Sequence, residues 1–396
     1  MARMTADAVV IGGGVNGTSV AFHLAKAGMR DVVLLERWHL AAGATGKSGA
    51  LVRMHYSNVP ETRLAFESLR YFQHWGDLVG GDCGFRPVGT LVFASREHRS
   101  HLEANLAIQR EVGVNSRLID AAEAKQIDLA VSVDDVDVVG YEPESGFADP
   151  AATTWGFADA AAAMGADIRL GTRALRLVTD GGRVTGVETD VGTISTPRVI
   201  VVAGAWANQL FEPLGIDLGM FPRQSRIAIF RGAPGRPYPH PTCIDHINHL
   251  WSRPIDGNCT LGGAETGAPA LVDPEDYPEH VTQEYIDFTR EQMAKRFPSI
   301  ANSTVRGNWA CALMGSPDSR PVIGAIEQVG GLYTMAADNG TSFKTAPAIG
   351  KCLSELILEG QATTVDLTPF RPSRFAEGQP WRDEFDYELE NASVSR

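Results

Sequence analysis

Three glycines near the N-terminus have the spacing of a dinucleotide-binding turn. An apolar strand is predicted over Ala8–Ile11, and helix-forming sequence reaches Lys26. The segment between them contains Gly12, Gly14 and Gly17. In this pattern the first glycine permits a tight turn, the second lets the backbone approach a pyrophosphate, and the third lets helix and strand pack closely. The helix N-terminus would offer N–H groups and a positive dipole end to the phosphates, so a bound dinucleotide is predicted.

An acid follows the second predicted strand at the expected distance. Val32–Leu35 ends in Glu36, which lies 19 residues after Gly17 and could accept hydrogen bonds from a ribose hydroxyl pair. Val15 and Asn16, inside the turn, and Arg37, after the acid, complete the residues predicted around the nucleotide. The motif alone does not distinguish FAD from NAD.

Composition excludes some classes of partner. The net charge of −13 leaves no basic stripe that could neutralise nucleic-acid phosphates. Part of the acid lies in the C-terminal tail, which we expect to be solvated and poorly ordered. The tail acids are Glu377, Asp383, Glu384, Asp386, Glu388 and Glu390.

Cysteine usage and hydropathy suggest a cytoplasmic, soluble protein. The 5 cysteines are scattered and show no C-x-x-C spacing, which fits a reducing compartment and predicts neither disulfides nor a zinc site. The first strand starts within eight residues of the N-terminus, so we expect no signal peptide. The longest apolar run, Val199–Ala207, is too short to span a bilayer, so no membrane partner is expected.

The remaining elements predict an α/β (α+β two-domain) fold. At 396 residues the chain should form two domains or one large interrupted domain. Helices are predicted over 59–80, 96–113, 151–164, 282–297 and 346–358, with strands between them. Nucleotide-binding segments at both ends and in the middle predict a Rossmann-like domain interleaved with an antiparallel β-sheet substrate domain. The predicted cofactor segments are 1–82, 147–219 and 305–366, the substrate segments are 83–146 and 220–304, and the C-terminal tail is 367–396.

Further motifs give the chain a family resemblance. They are Gly43–Gly49, Leu51–Arg53, Gly146–Pro150, Val201–Trp206, Ser316–Gly324 and Asn339–Lys344. Together with Gly12–Glu36 they resemble the D-amino-acid-oxidase superfamily of flavin-dependent amine oxidoreductases, particularly sarcosine oxidases and dimethylglycine dehydrogenases. The resemblance implies FAD rather than NAD, and antiparallel strands that cover the flavin. The additional cofactor contacts it implies are Thr45, Gly46, Ser48, Gly49, Val178, Gly204, Trp206, Gly340, Thr341, Ser342 and Lys344.

The resemblance also implies a substrate site. Arg53 and Lys344 would hold the substrate carboxylate over the flavin, because a guanidinium binds a carboxylate bidentately and an ammonium adds a point charge. Of the aromatic and histidine residues near these motifs, His55 and His249 are kept as pocket candidates. His246 and His249 lie three apart, but no third ligand follows at metal spacing, so no metal site is predicted.

Two positions leave alternatives open. Cys311 lies seven residues before Asp318, where monomeric sarcosine oxidases carry the cysteine linked to flavin, although dehydrogenase-like relatives often have glycine there. The alternatives are a covalent link and a buried structural cysteine. Thr260 stands roughly where sarcosine oxidases carry a lysine that promotes reaction with oxygen, so oxidase activity is in doubt and a dehydrogenase stays open.

The implied activity is FAD-dependent oxidation of the C–N bond of a secondary or tertiary amino acid. An N-methyl amino acid, an imino acid or an opine would give an imine that hydrolyses, and O₂ or another acceptor, such as a protein, would take the electrons. The alternatives are a primary (D-)amino acid or glycine oxidase or dehydrogenase, a flavin monooxygenase that uses NAD(P)H, and a non-catalytic flavoprotein.

Overall fold

The computed structural model describes residues 4–232, 238–264, 273–383 and 385–387. The strands are β1 Ala8–Ile11, β2 Val32–Leu35, β3 Leu51–Val52, β4 Thr90–Phe93, β5 Arg117–Asp120, β6 Val138–Glu142, β7 Gly146–Phe147, β8 Asp167–Arg169, β9 Ala174–Asp180, β10 Arg183–Thr189, β11 Gly192–Ser195, β12 Val199–Val201, β13 Phe221–Arg231, β14 Thr242–Asp245, β15 Leu250–Ile255, β16 Cys259–Ala264, β17 Val305–Gly315, β18 Val322–Ala325 and β19 Leu332–Ala336. The helices are α1 Val15–Lys26, α2 Val59–Gln73, α3 Trp75–Leu78, α4 Arg99–Val112, α5 Ala121–Ile127, α6 Pro150–Ala163, α7 Ala207–Phe211, α8 Gln283–Arg296 and α9 Ala346–Glu359.

A mainly parallel sheet carries the glycine turn. Its strand order is β18-β19-β12-β1-β2-β8, and only the edge pair β18–β19 is antiparallel among the described strands. Helices α1, α6 and α9 cover one face with Ala8 and Val10, while the antiparallel sheet β9–β11 covers the other with Val9 and Ile11. Because both faces are covered, these strands are apolar throughout rather than alternating.

A second, largely antiparallel sheet lies across the cleft from the first. Its order is β17-β13-β16-β15-β14-β4-β6-β5, with one parallel pair, β4–β14, in the described residues. Helix α8 packs on the face that contains Ala228 and Phe230. Ile227, Ile229 and Leu261 lie on the opposite face, because side chains alternate along a strand.

The predicted fold class is confirmed, and most predicted elements are present. Thr282 begins α8 as expected, since its hydroxyl accepts a hydrogen bond from the Tyr285 N–H at 3.3 Å. The predicted helix 59–80 is divided at His74 into α2 and α3. By its pairing with β13, β17 belongs to the largely antiparallel sheet, although the predicted segment 305–366 assigned it to the cofactor domain. The domain boundaries themselves stay a prediction.

The expectation of a solvated tail holds at the exposed Glu377 but was wrong for Asp383 and Tyr387. Asp383 is buried against Arg320, and Tyr387 is only 5% exposed. A buried guanidinium requires a carboxylate partner, and the tail supplies one. Glu384, Glu388 and Glu390 lie outside the described residues.

None of the described helices combines the length and the apolar composition needed to cross a membrane.

Candidate active site

The glycine turn places the start of α1 at a cleft. Gly12 has a φ of +121°, and a Cβ there would lie 2.3 Å from the Val202 carbonyl oxygen. A Cβ on Gly17 would lie 2.0 Å from the Gly12 carbonyl oxygen, so helix and turn can meet only without side chains at these positions. Helix α1 follows the extended residue Gly14, whose lack of a side chain leaves no N-cap; the Val15 N–H donates to Thr45 Oγ1 at 3.2 Å, and the other N–H groups of the first turn are left for a ligand.

The cleft has a volume of about 300 Å³ and lies between the two large sheets. On one side it is lined by residues that follow the carboxyl ends of the parallel strands β1, β12 and β19, where open α/β sheets commonly bind ligands. On the other side it is lined by Arg223, Ser225 and Ile227 of β13, Trp251 of β15 and Cys311 of β17.

Glu36 and Arg37 organise one end of the cleft. The Glu36 carboxylate accepts hydrogen bonds from the Gly13 and Trp38 N–H groups, both at 2.8 Å. The Arg37 guanidinium lies 3.9 Å from the Trp38 ring centroid and 4.3 Å from that of Trp206. These contacts fix a planar, partly aromatic wall next to the glycine turn.

Two buried cations meet at another part of the cleft. Arg53 follows β3 and is 1% exposed, and Lys344 precedes α9 and is 5% exposed. The Arg53 guanidinium lies 5.1 Å from the Tyr56 ring centroid, and the Lys344 ammonium lies 5.0 Å from it. Lys344 also donates to the Thr341 carbonyl at 2.9 Å. The fold thus brings two cations that line the cleft, from distant parts of the chain, to one buried aromatic ring.

Burial disfavours the charged forms of Arg53 and Lys344. Burial lowers the pKa of Arg53, although Tyr56 and Glu142 oppose that effect. Burial, followed by the charge of Arg53, holds the pKa of Lys344 well below its usual value. An anion bound between these groups would favour both charged forms, so the arrangement is suited to binding a carboxylate.

A sequence model of the FAD dependent oxidoreductase family (DAO) matches residues 7–356, a span that includes the glycine turn and both cations. The chain belongs to the DAO family. The model of this family describes FAD-dependent oxidoreductases.

Three known proteins show the range of its DAO-family relatives. The chain is 27% identical to sarcosine oxidase subunit beta of an Arthrobacter species over 94% of this chain and 91% of that protein. It superimposes on the crystal structure of L-proline dehydrogenase from P. horikoshii with a TM-score of 0.89 and 27% identity, covering 96% of this chain and all of that one. It is also 27% identical to the mitochondrial pyruvate dehydrogenase phosphatase regulatory subunit of the mouse over 90% of this chain.

Some relatives are much longer than this chain. The matched region spans 42% of the mouse regulatory subunit and 40% of human mitochondrial sarcosine dehydrogenase. The shared DAO region therefore occurs both nearly alone and joined to further sequence.

The cleft of this DAO-family chain fits FAD. Asn16 Oδ1, Arg37 Nη2 and Trp206 Nε1 are buried in its walls and have no hydrogen-bond partner among the described residues. A polar ligand with hydroxyl, phosphate and amide groups could satisfy them. Each Glu36 oxygen keeps a further lone pair for a ribose hydroxyl.

Most predicted cofactor residues line this cleft, but their contact with FAD stays a prediction. The residues that line it are Gly12, Gly14, Val15, Asn16, Gly17, Glu36, Arg37, Thr45, Ser48, Gly49, Gly204, Trp206, Cys311, Gly340, Thr341, Ser342 and Lys344. Gly46 and Val178 are not brought to the cleft wall. Gly46 instead closes a loop by donating to the Ala41 carbonyl at 3.0 Å, and Val178 lies within β9, whose first residues reach the cleft.

The structure does not bring the two predicted pocket histidines to the cleft wall. His55 is buried behind Arg53 and hydrogen-bonds to the Tyr387 hydroxyl at 2.8 Å. His249 adopts a φ of +49° in the turn between β14 and β15. Trp251 lines the cleft instead, because it lies two residues further along and points inward from β15.

Sequence reasoning missed Arg223 and Ser225, which line the cleft from β13. Their signal was alternation: Arg223, Ser225 and Ile227 share one face of that strand. The pattern was hard to interpret because the face that carries these three residues mixes polar and apolar side chains. It lines a cleft, so it resembles neither a core face nor a solvent face.

Cys311 lies in the cleft wall, in register with Ser225. Burial raises the pKa of its thiol to about 12. Thr260, by contrast, hydrogen-bonds to His240 Nε2 at 3.0 Å and lies on the sheet face turned away from the cleft. The expectation that Thr260 occupies the oxygen-reactive position is therefore wrong, because that side of β16 packs into the core.

Among the described residues, no group of three or more His, Cys, Asp and Glu side chains could hold a metal ion.

Proposed function

We propose that this DAO-family protein oxidises the C–N bond of a secondary or tertiary amino acid, such as an N-methyl amino acid, a cyclic imino acid or an opine. The observation that carries the proposal is the pair of buried cations in the cleft wall, Arg53 and Lys344, which both contact the Tyr56 ring. Such a pair favours an amino acid over a plain amine, because a substrate carboxylate favours the charged forms of both groups, whereas a plain amine offers them no anion.

The residues of this chain would bind and orient the substrate. The Arg53 guanidinium can grip the two carboxylate oxygens, and the Lys344 ammonium can approach from another direction. Fixing the carboxylate fixes the adjacent C–H and C–N bonds, which supplies the positioning part of catalysis. FAD, when bound, supplies the two-electron acceptor for the C–N oxidation. No general base is required of the protein if the amine reacts in its neutral form, and the imine product hydrolyses in water.

Two relatives support a secondary amine. One is named L-proline dehydrogenase and the other sarcosine oxidase subunit beta, and the names of both substrates denote secondary amino acids. A glycine oxidase from Bacillus cereus shares the fold with a TM-score of 0.76 at 23% identity, so oxidation of a primary amino acid is the second candidate.

Anaerobic reduction of the flavin tests the proposal. The holoenzyme is mixed without oxygen with L-proline, sarcosine, glycine and D-alanine, and with L-prolinamide and sarcosinamide as matched compounds that lack the carboxylate. We expect one of the secondary amino acids to bleach the flavin, and its amide to do so on the order of a hundredfold less efficiently, since a bidentate charged contact is lost. Bleaching by NADPH, or an absence of bleaching by every amine, would contradict the proposal.

The electron acceptor is tested on the same reduced enzyme. Mixing it with air-saturated buffer measures the rate of reoxidation by O₂, and mixing it with an artificial quinone acceptor measures the dehydrogenase alternative. We propose that whichever acceptor reoxidises the flavin within the time of one turnover is of the physiological class.

A covalent link between FAD and Cys311 is tested by acid precipitation. The position of this thiol in the cleft wall supports the link, whereas its raised pKa disfavours the thiolate that would form the bond. Flavin that stays in the pellet, and that Cys311→Ser releases, would establish the thioether. Flavin found wholly in the supernatant would establish a non-covalent cofactor.

A further inference from the structure

We propose that Tyr387, in the C-terminal segment, is a positioning residue that holds Arg53 in place through His55. This inference rests on the proposed function, since it concerns how the carboxylate-binding arginine is fixed. The segment that carries Tyr387 was expected to be solvated, but it returns to the back of the substrate site.

Tyr387 contacts His55 in two ways. Its hydroxyl lies 2.8 Å from His55 Nε2, and its ring stacks on the imidazole with centroids 5.6 Å apart. A second imidazole, that of His246, stacks on the same phenol ring at 4.2 Å. Tyr387 therefore contacts two imidazole rings and is 5% exposed.

His55 in turn contacts Arg53. The His55 backbone carbonyl accepts a hydrogen bond from Arg53 Nη1. Because the imidazole and this carbonyl belong to one residue, restraining the imidazole also restrains the carbonyl that the guanidinium grips. His55 therefore links Tyr387, which its imidazole contacts, to the carboxylate-binding arginine, which its carbonyl contacts.

The hydrogen bonds fix the tautomer of His55. The Gln109 side-chain amide donates to His55 Nδ1 at 2.8 Å and to Glu142 Oε1 at 3.0 Å. With Nδ1 accepting, the proton of the neutral ring lies on Nε2, which donates to the Tyr387 oxygen. Glu142 also accepts from the Met54 N–H at 2.9 Å, so the hydrogen bonds from Glu142 to Tyr387 hold both residues that directly follow Arg53.

The segment is docked independently of Tyr387. Asp383 pairs with the buried Arg320, Asn105 donates to the Phe385 carbonyl at 2.9 Å, and His101 Nδ1 bonds to the Asp386 carbonyl at 2.8 Å. These contacts join the tail to Arg320, in the loop between β17 and β18, and to helix α4. They make it feasible to remove Tyr387 while Asp383 and its ion pair remain.

Two shortened chains test the proposal. One ends at Tyr387 and the other at Glu384, so both keep Asp383, and the second lacks Tyr387 together with Phe385 and Asp386; the single substitutions at Tyr387 described below separate its contribution from theirs. The probe is pyrrole-2-carboxylate, a planar secondary-amine acid with no oxidisable α-hydrogen, and its Kd is read from the flavin absorbance of each holoenzyme. We expect the chain that ends at Tyr387 to match the full chain, and the chain that ends at Glu384 to bind about tenfold more weakly, as loss of one restrained charged contact predicts.

The kinetic signature separates positioning from general support of the fold. With a secondary amino acid as substrate, KM should rise with the Kd of the probe, while the limiting rate of anaerobic flavin reduction and the flavin content change by less than about twofold. Equal losses of reduction rate and flavin content would show a merely structural role and would overturn the proposal. Unchanged binding in the chain that ends at Glu384 would overturn it as well.

Single substitutions keep the test valid if the shorter chain does not fold. Tyr387→Phe keeps both ring stacks and removes the hydroxyl, so we expect the Kd to rise about threefold, and Tyr387→Leu should raise it about tenfold. Wild-type Kd values for both variants would contradict the proposal alone. A full-length chain that binds no carboxylate would contradict the proposed function itself.

Discussion

Buried cations occur in two kinds of environment in this protein. Arg374 pairs with Asp318 through two hydrogen bonds of 2.8 and 3.0 Å, and both side chains are 1% exposed. Arg296 pairs with the buried Asp245 at 2.7 Å, and although burial alone would lower its pKa, Asp245 and Asp135 raise it. In the cleft, by contrast, Arg53 and Lys344 share the Tyr56 ring and have lowered pKa values.

The comparison distinguishes structural charges from functional ones. At Arg374 and Arg296 the protein itself supplies the anion, so the desolvation cost is largely offset within the fold. At the cleft, burial lowers the pKa of both cations although Tyr56 and Glu142 oppose that effect at Arg53, and a substrate carboxylate would favour both charged forms. Burial does not separate the two groups, because all four cations are almost fully buried.

The largest effect is expected at a structural pair. Asp318→Asn keeps the shape of the side chain but leaves Arg374 with an uncompensated buried charge, which should destabilise the fold by about 3–5 kcal/mol. Thermal unfolding of the holoenzyme measures the change. Glu103→Gln, which breaks the exposed pair with Arg99, is the matched control and should change stability by less than about 1 kcal/mol. Equal melting temperatures for the two variants would show that the buried pair contributes no more to stability than the exposed one.

The same pair has a defined pH dependence. Burial tends to raise the pKa of Asp318, but the hydrogen bonds from Arg374 lower it overall. A carboxyl with a lowered folded-state pKa contributes stability that is complete above its unfolded pKa of about 4 and is lost as the pH falls through the folded value. When the pH is lowered, the melting temperature of the wild type should therefore fall as this contribution is lost, and the melting temperature of Asp318→Asn should fall less.

The second effect tests the functional pair. Arg53→Met should weaken binding of pyrrole-2-carboxylate on the order of a hundredfold, because two charged hydrogen bonds are lost. It should lower the melting temperature less than Asp318→Asn does, since Arg53→Met removes a charge that burial disfavours, whereas Asp318→Asn leaves a buried charge behind. Arg110→Met, at an exposed position on α4, is the control. Wild-type affinity in Arg53→Met would refute its assignment to the carboxylate.

The third effect is a pH dependence of carboxylate binding. Burial and the charge of Arg53 lower the pKa of Lys344, and a bound carboxylate should raise it again. Affinity for pyrrole-2-carboxylate should therefore be highest below the pKa of Lys344 in the free enzyme, and should fall by up to about tenfold per pH unit above it. When the Kd is measured across pH, this slope should be absent in Lys344→Met. It should remain in the control Lys351→Met, which changes an exposed side chain on α9. A slope that persists in Lys344→Met would assign the proton to another group.

The smallest effect concerns the ring that both cations share. Tyr56→Leu removes the aromatic face and should weaken carboxylate binding about fivefold, the loss expected for a cation–π contact of about 1 kcal/mol. Tyr56→Phe keeps the face and loses only the 3.3 Å hydrogen bond to the Thr341 carbonyl, so its Kd should stay near the wild-type value. If the two variants bind equally, the ring does not organise the cations.

Local elements and the cofactor motif were predictable from the sequence. Strand β1, helix α1 and strand β2 have the bounds that the glycine spacing and the apolar runs predicted. The start of α8 at Thr282 was likewise predictable, because a capping hydroxyl acts within one turn of its own position. These signals depend on neighbours in sequence, so a single chain contains them in full.

Contacts between distant segments were less predictable. Choosing between His249 and Trp251 required knowing where β15 begins, since His249 lies in the turn with a positive φ and only Trp251 is in the strand. Placing Thr260 on the core side of β16 required the register of that strand, since moving by one residue turns a side chain to the other face. The buried tail was missed because its acids resemble a solvated run until Arg320 is placed beside Asp383.

The sequence by itself predicted a nucleotide site at Gly12–Gly17, determined that the chain combines a parallel and an antiparallel sheet, and named the cations that were candidates for a carboxylate. Only the tertiary structure decided that Arg53 and Lys344 meet at Tyr56, and that Tyr387 lies behind them. The physical reason is that helix starts and turns follow from local backbone and capping preferences, whereas the compensation of a buried charge depends on which distant group packs against it.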